Sequence, residues 1–156
     1  MTTTGLQLRS LVKDDNTLEV SLVEVEFPAP GPEEVLVRVD ATPINPSDLA
    51  LLVGPADPAT FRGSGTPERP VLTADIPAAA MKMVAGRLNE SLPVGNEGAG
   101  VVVAAGSSEA AQALLGRTVG MVGGEMYAQY RCIHVQQCLP LEEGTSAAEG
   151  ASCFVN

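Results

Sequence analysis

The segment Pro93-Val94-Gly95-Asn96-Glu97-Gly98-Ala99-Gly100-Val101-Val102-Val103-Ala104-Ala105-Gly106 limits the folds open to this chain more than any other. Its first glycines permit backbone angles and close approaches that a Cβ forbids, and they lead directly into a β-branched run suited to a buried strand. Asn96 and Glu97 place a polar pair in the middle of that tight backbone. An inert strand has no use for Gly-Asn-Glu-Gly-Ala-Gly, so the segment reads as a cleft-lining loop that becomes a core strand. A glycine-rich β-corner is the alternative.

Before this segment the chain reads as strands. Residues 6–12 place Leu6 and Leu8 on one parity, and Asp14-Asp15-Asn16 supplies turn chemistry. Over residues 17–27 the apolar set is Leu18, Val20 and Leu22, then Val23, Val25 and Phe27, so the buried parity switches between Leu22 and Val23. Such a switch predicts a bulge, or a strand that passes from one face of a barrel to another. Pro28-Ala29-Pro30-Gly31-Pro32 ends that run, and residues 33–42 resume alternation through Val35, Val37 and Val39. Three strands joined by turns predict an antiparallel barrel or sandwich.

Residues 41–54 carry a short helix. Asn45 or Ser47 can cap it, Pro46 suits its first turn, Asp48 is favourable near the positive helix end, and Gly54 can stop it. Asn45 is thus either a plain cap or a hydrogen-bonding residue facing a ligand. Residues 55–92 change character: five prolines and Gly63-Ser64-Gly65 make the first half loop-like. In the second half Ile76, Ala79, Ala80, Met83, Val84 and Leu88 fall on one helical face, with Asp75 as cap and Lys82 and Arg87 toward solvent. Farther on, Ser107 is placed to cap a helix through Leu115, strands return over 118–122 and 126–135, and Thr145 or Ser146 caps a last helix. Tyr127 and Tyr130 have opposite parity, so at least one faces inward.

With 156 residues the chain is long enough for one ordinary domain with a real core. A net charge of −10 without a Lys/Arg cluster argues against nucleic acid and anionic membrane as partners. No apolar run approaches the ~20 residues that span a bilayer, and Met-Thr-Thr-Thr-Gly does not open like a signal peptide, so a cytoplasmic location is expected. Cys132, Cys138 and Cys153 fit reduced thiols better than a disulfide framework. Cys132, His134 and Cys138 could form a metal site or be satisfied core or edge residues. His134 is the only histidine, which removes most histidine-based catalytic schemes.

Taken in order, Ala-Thr-Pro-Ile-Asn-Pro-Ser-Asp (41–48), Gly-Asn-Glu-Gly-Ala-Gly-Val-Val (95–102), Gly-x-x-Val (116–119) and Tyr-Ala-Gln-Tyr (127–130) resemble the medium-chain dehydrogenase/reductase superfamily. They match its N-terminal GroES-like catalytic domain over nearly the whole chain. The resemblance implies a mainly β fold with short helices, a GroES-like partly open β-barrel over residues 1–150, with 55–92 as an insertion carrying an amphipathic helix. Residues 151–156 would begin a helix leading to a dinucleotide-binding domain outside this chain, since no strand-linked Gly-x-Gly-x-x-Gly occurs in it. Because the chain stops inside an element, it reads as a fragment of something longer, inactive by itself.

Zinc-dependent members of that superfamily carry cysteine, histidine and commonly cysteine where this sequence has Asn45, Asn96 and, approximately, Asn156. Carboxamides lack the donors zinc favours, and the closely spaced cysteines of the structural zinc loop are missing too, so no metal is expected. The resemblance then implies the zinc-independent branch, an NADPH-dependent quinone oxidoreductase or 2-enoyl thioester reductase. Asn45 is the implied catalytic residue, and Asn45, Asp48 and Asn156 the implied cofactor-binding ones. Enoyl reductases carry a catalytic tyrosine just past a glycine after Asn-Pro-Ser-Asp, whereas Gly54 here is followed by Pro55 and Ala56. That departure favours the quinone oxidoreductase, hydride passing from nicotinamide to a quinone or activated alkene. A small-molecule substrate is the expected partner and a homodimer stays open. A non-catalytic GroES-like binding or assembly module is the reading from another class.

Overall fold

Period-two apolar runs punctuated by Pro and Gly produce a chain dominated by strands. The fold is taken from a computed structural model, which describes residues 2–155. In chain order its elements are β1 (Thr3–Val12), β2 (Thr17–Phe27), β3 (Glu34–Ala41), α1 (Pro46–Leu52), β4 (Arg62–Gly65), β5 (Pro70–Asp75), α2 (Ala78–Met81), β6 (Ser91–Pro93), β7 (Glu97–Ala105), α3 (Glu109–Gln112), β8 (Thr118–Val122), β9 (Tyr130–His134), β10 (Cys138–Pro140) and α4 (Ala147–Gly150). A mainly β chain with short helices is what the sequence predicts. The strands form two five-stranded sheets, and the chain divides into two units. Residues up to 7, 24–44 and from 95 onward make the first unit, and residues 8–23 and 45–94 the second.

The first unit is built on the antiparallel sheet β10-β8-β7-β3-β9. β3 has a strand neighbour on each side, and Val35, Leu36 and Val37 are all buried, so both faces of the sheet are covered at this point. Val35, Val37, Val102, Val119, Met121 and Ile133 form much of its core. The glycine-rich segment becomes β7 at Glu97. Gly95 has φ +102°, a conformation that glycine adopts without penalty, and it turns the chain into that strand. Farther along, Gly100 lies opposite Val39, where the β3–β7 register shifts. A Cβ on Gly100 would strike the Arg38 carbonyl, so the residue permits the close approach of the two strands.

In the second unit the sheet order is β4-β5-β2-β1-β6. Leu18 and Val20 on β2 face the registers of Ala74 and Leu72 on β5, and Val12, Leu18, Ala74, Ile76 and Val94 are its most buried apolar residues. The parity switch of β2 is real: Leu18 and Val20 are buried near its start, Phe27 at its end. It falls where the chain passes from the second unit into the first.

Residues 55–92 depart from their sequence reading. The half expected as loop contains β4 and β5, while the expected amphipathic helix shrinks to the single turn α2 and a short 3-10 turn at Ala85–Arg87. Asp75 ends β5 and pairs with Arg62 at 2.6 Å instead of capping a helix. Ile76 is buried as expected, but Met83 is 86% exposed: α2 begins only after Pro77 and ends at Met81, so the expected helical face does not reach residue 83. Ser108, not Ser107, caps α3, accepting from the Ala111 N–H at 3.1 Å, and the helix ends at Gln112. Ser146 caps α4 through a reciprocal bond with Glu149. That helix ends at Gly150, and residues 151–155 continue as turn, so 151 starts no new helix. Among the described residues no helix is long and apolar enough to cross a membrane.

Candidate functional site

Asn45 and Asp48, two of the residues singled out by sequence, come together in the second unit. Asn45 is the N-cap of α1, with extended backbone angles, and Pro46 takes the first helical position as its fixed φ allows. The Asn45 carbonyl accepts the N–H groups of Asp48 and Leu49 at 3.0 and 3.2 Å. In return the Asp48 carboxylate accepts the Asn45 N–H at 3.0 Å. Negative charge at this helix end is favoured by the exposed amide dipoles. Both residues are nearly inaccessible, Asn45 at 3% and Asp48 at 2% exposure. Asn156, the third implied cofactor residue, lies outside the described residues.

A neutral carboxamide with a donor and an acceptor suits the amide of a nicotinamide. Its 3% exposure leaves little of it open to a ligand, and the described residues do not add a strand–turn–helix of the glycine fingerprint type that would cradle a pyrophosphate. Among the described residues no group of three or more His, Cys, Asp or Glu side chains could hold a metal ion.

In the first unit the polar pair of the glycine segment does structural work: a hydrogen-bonded loop at Asn96 is what the sequence implies, while the partners of Glu97 are not legible in it. The Asn96 carbonyl accepts the N–H groups of Gly123 and Gly124 at 3.2 and 3.3 Å. Glu97, 1% exposed, accepts the N–H groups of Phe154 and Val155 on one carboxylate oxygen, each at 3.0 Å. A carboxylate opening an otherwise apolar strand was the available signal. Tyr127 is half-buried and donates its hydroxyl to the Pro43 carbonyl at 2.9 Å.

Cys132, His134 and Cys138 are likewise engaged locally. His134 Nδ1 accepts the Gln136 N–H at 3.2 Å and caps a short turn. Cys132 Sγ lies 3.7 Å from the Glu34 carboxylate, and burial, reinforced by that negative charge, pushes its thiol up to about 11. Burial alone pushes Cys138 up to about 11. Because the thiolate is the reactive form, both should carry about 100-fold less of it at neutral pH than an ordinary thiol. Labelling with a disulfide reagent at pH 7.5 is therefore expected to modify exposed Cys153 first, with Cys132 and Cys138 following only as pH rises toward 10 or on unfolding. Equal rates at all three would contradict these environments.

No protein-family model matches the sequence, and no curated protein is similar to it by sequence. Solved structures do match by fold. A Mesorhizobium loti protein named for NADPH:quinone reductase activity is 23% identical with a TM-score of 0.60, the match covering 99% of this chain and 40% of that one. The chain has a partly open GroES-like fold, shared with part of these reductases. CurK enoyl reductase matches at 18% identity and a TM-score of 0.66, covering 97% of this chain and 39% of its own. A Pseudomonas syringae quinone oxidoreductase matches at 20% identity and 0.53, covering 94% and 36%. The chain thus spans about two-fifths of the length of these reductases.

Proposed function

We propose that the chain is the catalytic-domain portion of a cytoplasmic, zinc-independent, NADPH-dependent oxidoreductase of the quinone oxidoreductase type. What carries this reading is the likeness of fold to quinone reductases over nearly the whole of this chain. A bound nicotinamide would supply the hydride, passing it to a quinone or activated alkene. The chain's own contribution would be the buried cap of α1: Asn45 would offer its carboxamide to the nicotinamide or substrate, and Asp48 fixes the Asn45 backbone. The nucleotide itself would be held mainly outside these 156 residues, which span about two-fifths of the reductases they resemble in fold. A 2-enoyl thioester reductase is the second reading, favoured by the TM-score of 0.66 with CurK enoyl reductase.

The test is NADPH oxidation by the full-length protein with a panel of quinones and of enoyl thioesters. Turnover of a quinone is expected, turnover of enoyl thioesters alone selects the second reading, and oxidation with neither class overturns both. Stoichiometric zinc in the purified enzyme would overturn its zinc independence. Asn45→Ala is expected to lower kcat/KM about 10- to 100-fold, the scale of a lost positioning contact, in a protein that remains folded. Unchanged turnover would reduce Asn45 to a cap.

A further inference from the structure

Helix α1 has seven residues, whereas isolated helices below about 12–15 residues are marginal in water, so its position must be fixed from outside. Its last turn contains no basic residue, yet all four terminal carbonyls are satisfied. The Val53 N–H donates to Leu49 at 2.9 Å and the Gly54 N–H to Ala50 at 3.2 Å. The other two carbonyls are met from distant parts of the second unit. Arg87 Nη1 donates to the Leu51 carbonyl at 2.9 Å, and the Ser10 hydroxyl donates to Leu52 at 2.9 Å. Arg87 Nη2 then donates to Ser10 Oγ at 2.8 Å, which ties the two clamps into one.

Three observations set this arrangement apart from an ordinary arginine contact. Ser10 has no exposed surface and is carried by β1, so the clamp is anchored in the sheet. The guanidinium faces the carbonyl end of a helix, where a cation is favoured, and it donates to a carbonyl and a hydroxyl. Its Nε is buried without a partner, a cost that an arginine left at the surface would avoid by facing water. The sequence pattern put Arg87 toward solvent, and the structure corrects that.

We propose that Arg87, working through Ser10, is the positioning residue for α1 and hence for Asn45 at the other end of the helix. At 1.5 Å per residue the two ends are only ~10 Å apart, so tilting one displaces the other. The significance of this for turnover rests on the reading of Asn45 given above; the mechanical coupling does not.

Hydrogen exchange of the intact chain, read by NMR, tests the coupling. Arg87→Met keeps the apolar stem and removes both donors. It is expected to accelerate exchange of the Asn45 and Leu49 amides about 10-fold or more, the scale of losing charge-assisted bonds, while the Val102 amide of the first unit is unaffected. Arg87→Lys should restore part of the protection, because an ammonium can reach one acceptor but cannot fork to two. Wild-type exchange at Asn45 in a folded Arg87→Met protein would overturn the proposal. If that variant loses Val102 protection as well, Arg87→Lys and Ser10→Ala decide: faster exchange at Asn45 supports the clamp, and wild-type exchange in both overturns it. In the NADPH-oxidising enzyme, the loss of kcat/KM from Arg87→Met should vanish in an Asn45→Ala background, and additive losses would overturn the proposal. Absence of NADPH oxidation would overturn the functional reading and leave the exchange result to decide the clamp.

Discussion

Replacing Glu97 with alanine is expected to destabilise the first unit by about 3 kcal/mol, from the loss of two charge-assisted hydrogen bonds and the orphaning of their donors. The carboxylate is almost wholly enclosed and receives the Phe154 and Val155 amides at 3.0 Å on a single oxygen. Truncation leaves both amides to find water or stay unpaired, and it opens space at the start of β7. Glu97→Gln separates charge from geometry. Its carboxamide oxygen can take the same two donors, so the loss should stay near 1 kcal/mol, the difference between charged and neutral acceptors. Urea unfolding reads the magnitudes, and exchange at Phe154 and Val155 reads the place. An alanine variant with the wild-type urea midpoint and unchanged exchange at those amides would mean that Glu97 does not anchor the 151–155 turn.

Much of the fold is legible in the sequence because its strands are written in simple alternation. The change of buried parity in β2 can be seen in Leu18, Val20 and then Phe27, and it marks the passage from one unit to the other. Residues 55–92 are not legible for a physical reason. β4 is exposed at every position, so it carries no apolar alternation, and as an edge strand it tolerates Gly63 and Gly65 that read as loop. Pro70 opens β5, where a missing N–H is least costly. In the same region Ala-rich spacing imitates an amphipathic helix, while Ile76 follows directly on β5 and its N–H donates to the Asn16 carbonyl in the turn before β2 at 2.8 Å.

The candidate site divides the same way. Capping chemistry made Asn45 and Asp48 visible, since Asn-Pro-Ser-Asp writes a helix start in four letters. Long-range partners are invisible to any local pattern: Ser10 and Arg87 meet across 77 positions, and Glu97 reaches Phe154 across 57. In both cases a charged side chain does structural work on backbone groups far away in sequence. Asn96 differs: at shorter range it is its main-chain carbonyl, not its side chain, that holds the Gly123–Gly124 turn. The polar residues of the two motif segments therefore act first on the backbone that shapes a site, and any contact with a cofactor is made on top of that role.

The largest single loss is expected at Gly100. An added Cβ would meet the Arg38 carbonyl carbon at 2.8 Å and Val39 Cα at 2.9 Å, besides overlapping the Arg38 oxygen itself. All three are backbone atoms of the neighbouring central strand, so no side chain can rotate away to make room. The strands can separate only by breaking the β3–β7 ladder beside Val35, Val37 and Val102, which form the core of the unit. Gly100→Ala should therefore cost about 4 kcal/mol or more, at the upper end for a point substitution, and Gly100→Val should fail to fold. Gly63→Ala is the matched control: it too replaces a strand glycine, but its Cβ meets nothing within 4 Å, and the change should stay within about 0.5 kcal/mol. Urea midpoints of the two alanine variants give the contrast directly. Equal stability would show that β3 and β7 can separate without loss, and the glycine-rich segment would then have to be explained by its loop alone.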